Sequence, residues 1–122
     1  MAATKSRASI NSGTVMTAGA ADVTGSTIDI STAYGAQVDI KLTNGATGPT
    51  IAAQVQIEVA ADAAGTLFTK FGGALVGSTA NSGVSSWSVQ LPIGVAAFRL
   101  ISGSNTAQNV TLDADYSKVT GI

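Results

Sequence analysis

Two stretches of this chain alternate between apolar and polar residues over an unusual length. In residues 36–43, alanine, valine, isoleucine and leucine occupy every second position, and in residues 50–60 a similar alternation runs with glutamine and glutamate. A period of two places the apolar side chains on one face of a β-strand and the polar ones on the other. The pattern is typical of an antiparallel sheet with one face in a core and one in water.

The rest of the chain shows shorter segments of the same kind. The alternation predicts further strands at residues 27–31, 67–71, 75–80, 84–91, 95–102 and 109–117, and short extended pieces at 5–10 and 14–17. No segment has the period of an amphipathic helix. About eight strands at regular spacing predict an all-β fold, an antiparallel β-sandwich of the jelly-roll or immunoglobulin-like type.

The size of the chain fits one folding unit. At 122 residues and 12.0 kDa we expect a single β-sandwich domain over residues 11–122, preceded by an N-terminal arm over residues 1–10. The chain has no cysteine, so disulfides cannot stabilise it. A chain of this mass buries roughly 65% of its unfolded surface, which is enough for a self-sufficient core.

Charge is scarce. Charged residues make up 11% of the chain, against about 25% in an ordinary soluble domain. The net charge of −1 predicts no nucleic-acid partner, and no apolar run approaches the roughly 20 residues of a membrane helix. A surface this poor in charge indicates either a protein covered by its neighbours or a merely polar, uncharged monomer.

The chemistry of the side chains argues against catalysis. The chain has no histidine and no cysteine, and it contains no phosphate-binding glycine loop. We therefore expect no enzyme activity, no cofactor and no small-molecule substrate. Asp113 and Asp115 share one face of a predicted strand, where they are either oxygen ligands for calcium or two solvated carboxylates.

Aromatic residues offer candidate contacts. The only tryptophan, Trp87, alternates in phase with Val89 and is predicted to lie in the core. Tyr34, Phe68 and Phe71 lie near turns, where we expect exposure. They either anchor a protein interface or cap the end of the sandwich.

The two ends of the sequence supply further candidates. Lys5 and Arg7 form an extended basic arm that could add to a neighbouring sheet edge or reach an acidic groove; the alternative is a frayed tail. At the other end, Ile122 combines an apolar side chain with the terminal carboxylate, which suits burial at a contact.

Several segments resemble small virion proteins of tailed bacteriophages. They are ATKSR (3–7), AYGAQ (33–37), TNGATGP (43–49), FGGAL (71–75), WSVQLP (87–92), FRL (98–100) and DADYSKVTGI (113–122). The similarity spans nearly the whole chain, but its motifs are structural. It brings no catalytic residue with it.

The resemblance implies a capsid decoration, or cement, protein. Such a protein binds the major capsid protein on the outside of the shell and stabilises it, associates with its own copies as a trimer, and is made in the cytoplasm of the bacterial host. A minor tail or baseplate protein of the same particle is the first alternative. A carbohydrate-binding module is the second, and it requires a row of exposed aromatic residues.

Overall fold

The computed structural model describes residues 4–121, in which β-strands are joined by turns and loops. The strands are β1 (Thr4–Met16), β2 (Val23–Thr24), β3 (Ile28–Asp29), β4 (Ala36–Asn44), β5 (Gln54–Ala60), β6 (Thr69–Lys70), β7 (Leu75–Val76), β8 (Val84–Leu91), β9 (Ala97–Gly103) and β10 (Val110–Gly121). Every pairing between them is antiparallel. This part of the chain contains no helix of the length and apolarity needed to cross a membrane.

The strands form two sheets, as predicted. Sheet A has four strands in the order β1-β10-β4-β8. Sheet B has six strands: β9 pairs with β5 at its centre, β2 and β3 both pair with β9, and β6 and β7 both pair with β5. The short strands β2 and β3 together occupy one edge position of sheet B, and β6 and β7 together occupy the other. The two sheets therefore hold eight strand positions in all. The predicted all-β antiparallel sandwich of about eight strands is confirmed.

The strand order selects one of the two predicted topologies. The first strand, β1, pairs with the last strand, β10, and lies in a different sheet from β2. In an immunoglobulin-like sandwich the first two strands share a sheet. Two antiparallel sheets of four positions each, with the first and last strands side by side, form a jelly roll.

The core lies between β4 and β10 of sheet A and β5 and β9 of sheet B. Val38 and Ile40 of β4 are 0% and 2% exposed, and they face Val55 and Phe98 of sheet B within one apolar cluster. Burying a side chain of this size contributes roughly 1.5–3 kcal/mol. Since β4 pairs on both sides without a register shift, its predicted alternation is preserved along its whole length.

The N-terminal strand differs from its prediction. The two extended pieces at 5–10 and 14–17 join into one strand of 13 residues, with register shifts on both sides of Asn11. Gly13 adopts a φ of 60°, a conformation that suits glycine, so the turn-prone segment forms an irregularity in a continuous strand. Residues 4–10 of the predicted arm lie in β1, and residues 4–9 pair with β10. The arm as a separable unit stays a prediction.

Candidate interaction surface

The outer face of sheet A carries the polar half of the alternation. Polar side chains from all four strands share this face because antiparallel neighbours in register point the same way. They are Lys5 and Arg7 of β1, Asp113 and Asp115 of β10, Gln37, Asp39 and Lys41 of β4, and Ser86, Ser88 and Gln90 of β8.

Hydrogen bonds link the side chains of β8 and β4 across this face. The Gln90 amide donates to Gln37 Oε1 (2.8 Å), and the Gln37 amide donates in turn to Asp39 Oδ1 (3.0 Å). The Ser88 hydroxyl donates to the same Asp39 oxygen (2.7 Å). The network joins side chains of the two strands into one hydrogen-bonded group on this face.

Two carboxylates stand directly opposite each other on this face. Asp39 of β4 lies opposite Asp115 of β10, and the repulsion between two like charges disfavours this arrangement. The hydrogen bond from Ser88 lowers the pKa of Asp39, with smaller contributions in the same direction from Gln37 and from the positive charge of Arg7. Arg7 also pairs with Asp115. Asp39 therefore carries its negative charge at neutral pH, with Arg7 of β1 as a nearby positive charge.

The Arg7 guanidinium remains open to a partner. The Arg7 side chain is 76% exposed, while that of Asp115 is 20% exposed. An ion pair in such a position contributes about 0–1 kcal/mol, since water screens it. Arg7 has five N–H donors and can bind a second acceptor without losing its place.

Lys5 and Tyr34 line one cleft at an end of sheet A. Lys5 lies opposite Val119 of β10, and the Tyr34 N–H donates to the Val119 carbonyl (2.7 Å). The Tyr34 side chain is 51% exposed, as the sequence predicts. The structure thus brings Lys5, Arg7 and Tyr34 to the same sheet.

Phe68 and Phe71 belong to the other sheet, on either side of β6, and neither is fully exposed. The Arg99 guanidinium lies over the Phe68 ring, 4.0 Å from its centre, and Arg99 Nε donates to Glu58 Oε1 (2.8 Å). Phe71 packs against the core. The expected exposure therefore fails for both, because each finds a partner within the chain. Their role as contact residues stays a prediction, and Ile122 lies outside the described residues.

Asp113 and Asp115 each have a partner in the chain. Asp113 accepts a hydrogen bond from the Gly13 N–H (2.8 Å), and Asp115 pairs with Arg7. Within residues 4–121, no group of three or more acidic side chains is placed to hold a metal ion. The structure adds a role that neither alternative included, since both carboxylates bind groups of β1.

Exposed apolar residues at the ends of β8 form a part of the surface that the sequence reasoning missed. Val84 is 59% exposed and Ile93 is 67% exposed. Val84 lies an even number of residues from Ser86 and Ser88, so it shares their exposed face of β8. The alternation in the sequence could therefore have predicted its exposure. Trp87, on the opposite face of β8, lies across from Ile40 and is half-buried against the core, in line with its predicted inward position.

One small cavity lies between the C-terminal half of β1 and sheet B. Its volume is about 80 Å³, and Met16, Val23 and Leu100 are among its lining residues. Sites for drug-sized molecules are roughly 300–1,000 Å³. This cavity is too small for such a ligand, whereas open clefts on the surface are larger, among them the cleft that Lys5 and Tyr34 line (about 290 Å³) and one that Val59 and Leu67 line (about 430 Å³).

Comparison with known proteins shows the fold and no family. No family model and no characterised protein sequence matches the chain. Among solved structures, it is similar to a chain of infectious bursal disease virus, Gx strain, with a TM-score of 0.54 and 10% identity over 98% of this chain and 32% of that one. The chain thus spans about a third of that viral protein.

A second likeness covers both proteins almost completely. A protein of Bacillus endospore appendages, described as a novel family of disulfide-linked pili, is similar over 100% of this chain and 93% of that one, with a TM-score of 0.50 and 17% identity. The present chain has no cysteine with which to form such links. The adhesin domain of Lys-gingipain from Porphyromonas gingivalis has a TM-score of 0.46, too low to carry an argument. At these identities the likenesses establish the sandwich fold alone.

Proposed function

We propose that this protein is a structural component of a tailed-phage virion that binds the outside of the capsid and stabilises the shell. The observation that carries the proposal is the first half of β1. Residues 4–9 are all exposed, although they are paired with β10 along one side. Within residues 4–121, no strand pairs with their other side.

A strand in this state is suited to binding a protein partner. Its outer edge presents free N–H and C=O groups, to which an extended segment of another protein can add. Lys5 and Arg7 supply two positive charges beside that edge. The major capsid protein would contribute the added segment and an acidic neighbour for these charges.

The rest of sheet A suits a shell contact as well. The Gln90–Gln37–Asp39 hydrogen bonds hold polar side chains together across its outer face, and Lys41 adds a third positive charge to those of Lys5 and Arg7 there. A specific interface of ordinary size buries roughly 1,600 Å² in total. Repetition of such a contact over a capsid lattice strengthens attachment through avidity. The jelly roll, shared with a protein of a virus particle, supports a structural role in a general way.

Binding to shells assembled without this chain tests the proposal. Purified protein is mixed with empty capsids and sedimented, and the bound fraction is measured against protein concentration. We expect saturable binding that is lost when residues 1–7 are deleted, while the deleted variant still unfolds cooperatively. Retention of full binding by the deletion variant would contradict the assignment of β1.

A pair of charge reversals separates the role of the arm from a general effect of charge. Lys5→Glu should weaken shell binding, because it places a negative charge on the proposed contact. Lys70→Glu alters an exposed lysine of β6, in the other sheet, and should leave binding unchanged. Binding to isolated tails instead of shells would favour the tail or baseplate alternative.

A further inference from the structure

The two edges of sheet A are protected to different degrees. The β1 edge carries Lys5 and Arg7 and has register shifts against β10, so it disfavours pairing with a like-charged copy of itself and suits an acidic partner instead. Val84–Leu91, the whole of β8, contains no charged residue and no proline, and pairs with β4 without a register shift. Among residues 4–121, no strand covers its outer edge. An edge of this kind is open to strand addition.

We infer that β8 pairs with β8 of a second copy of this chain, antiparallel, about a two-fold axis. Such an interface uses the same surface on both subunits, the commonest arrangement among soluble oligomers. The inference concerns a surface distinct from the β1 edge and does not depend on shell binding.

The hydrogen bonding of β8 sets which backbone groups are free. The Asn44 N–H donates to the Gly83 carbonyl (2.8 Å), so in this ladder the residues that bond to β4 are those of odd number, such as Trp87. The even-numbered residues direct their N–H and C=O groups to the open edge. These residues are Val84, Ser86, Ser88 and Gln90.

A two-fold axis through the strand centre satisfies all of these groups at once. Val84 then lies opposite Gln90 of the second copy, and Ser86 lies opposite Ser88. Each such pair exchanges two hydrogen bonds. All four side chains point to the outer face in both copies, so the polar surface of sheet A continues across the junction. Because β8 contains no charged residue, no like charges face each other across the axis.

The axis also brings apolar groups together. Trp87 meets Trp87 of the second copy at a non-hydrogen-bonded position, where facing side chains are closest and aromatic pairs stabilise the sheet. The exposed Val84 of one copy lies opposite Gln90 of the other, whose aliphatic stem can cover part of it. Pairing therefore reduces the exposure of apolar side chains at the centre of the strand most of all.

The other edge offers a poorer partner. Two β1 strands paired at Arg7 would place the two guanidinium groups directly opposite each other, which like charges disfavour. A β1 strand added to β8 would have fewer positions available, because its regular register is broken after Ser9. The neutral, regular β8 is the better match for itself.

Two double variants test the pairing and its register. Ser86→Lys with Ser88→Lys opposes lysines across the axis, and should weaken association roughly tenfold or more through two like-charged pairs. Ser86→Glu with Ser88→Lys opposes unlike charges and should retain the dimer. Both variants carry lysine at position 88, so they lose the same hydrogen bond to Asp39.

The measurements are solution mass by sedimentation equilibrium and tryptophan emission over a range of concentrations. We expect a wild-type mass of twice 12.0 kDa and a blue shift of the emission as the dimer forms, since Trp87 is the only tryptophan. Circular dichroism confirms that each variant is folded. A wild-type monomer, equal masses for the two variants, or a trimer that neither variant changes would overturn the inference. None of these measurements involves a capsid, so the outcome is independent of the proposed function.

Discussion

Strands β4 and β1 are both long, both lie in sheet A and both pair with β10, yet they differ in burial. In β4, four apolar residues are at most 5% exposed: Ala36, Val38, Ile40 and Leu42. In β1, residues 4–9 are all exposed, and only Met16 is buried. Backbone pairing fixes both strands, but β4 is covered by the opposite sheet along its length, whereas the first half of β1 is not. Coverage by the second layer, rather than strand length, determines how much each strand contributes to stability.

The side chains reflect this difference. On the inward face, β4 presents Val38 and Ile40, while the first half of β1 presents Ser6 and Ala8 in the same phase as Lys118 and Tyr116 of β10. Small residues at these positions have little apolar surface to bury. The first half of β1 is therefore ready for a partner at little cost to the fold of the free protein.

The largest expected effect is on stability, when a valine is shortened to alanine in β4 and the result is compared with the same change in β1. Val38→Ala removes buried methyl groups from β4 and should lower the free energy of unfolding by about 2–3 kcal/mol, through lost burial and the cavity left behind. Val15→Ala in β1, where the side chain is 59% exposed, should lower it by less than about 0.5 kcal/mol. Urea unfolding monitored by circular dichroism measures both. Equal losses of unfolding free energy in the two variants would contradict the conclusion that β4 contributes more to stability than β1.

A second prediction concerns how the far end of β1 is anchored. Asn105 is 2% exposed, and its side-chain amide donates to the Met16 and Gln108 carbonyls, both at 2.9 Å. Asn105→Ala leaves the buried Met16 carbonyl and the part-buried Gln108 carbonyl without that donor and should lower the free energy of unfolding by about 1–3 kcal/mol.

Asn81 provides the control for this change. It is exposed, and its side chain accepts one hydrogen bond, from the Gly48 N–H (2.9 Å). Asn81→Ala should lower the free energy of unfolding by less than about 1 kcal/mol. Hydrogen exchange should also show faster opening near Met16 in Asn105→Ala alone; uniform exchange along β1 would contradict the anchoring role.

The smallest expected effect is a pH dependence from the outer face. The pKa of Asp39 is lowered from its ordinary 3.8 by the Ser88 hydrogen bond first, then by Gln37. A pKa lowered by folding means that the carboxylate stabilises the fold above pH 3.8, and that this contribution is lost as the pH falls through the folded value. Asp39→Asn should therefore reduce the loss of stability between pH 5 and pH 2.

Ser88→Ala sharpens this test. It removes the main donor to Asp39 and should reduce the acid sensitivity in the same direction, by a smaller amount. Urea unfolding at fixed steps of pH measures the slope for each variant. If the unfolding free energy of Asp39→Asn depended on pH as strongly as that of the wild type, the hydrogen bonds to Asp39 would make no measurable contribution to stability.

The sequence predicts strands well where alternation and coverage coincide. The prediction for residues 84–91 has the bounds of β8, and that for residues 36–43 falls one residue short of the end of β4. The prediction for residues 50–60 begins too early, since β5 starts at Gln54. Before it, the Ile51 N–H donates to the Thr106 hydroxyl (3.1 Å). The local alternation of apolar and polar residues cannot predict a hydrogen bond to a loop 55 residues away.

The candidate surface was predictable in part. Alternation indicates that Asp39 and Arg7 face solvent, but the ion pair between Arg7 and Asp115 joins residues 108 positions apart and depends on the strand order. Position near a turn identified Tyr34 as exposed. The same signal was misleading for Phe71, which directly follows β6 and packs against the core.

The pairing of the first strand with the last has a consequence for synthesis of the protein. Strand β1 lies next to β10 in the finished sheet, and the two are separated by most of the chain. At a translation rate of roughly 5–20 residues per second, β1 waits on the order of 5–20 s for its neighbour to emerge from the ribosome. Strand β1 can therefore take its place in sheet A only after β10 has been made.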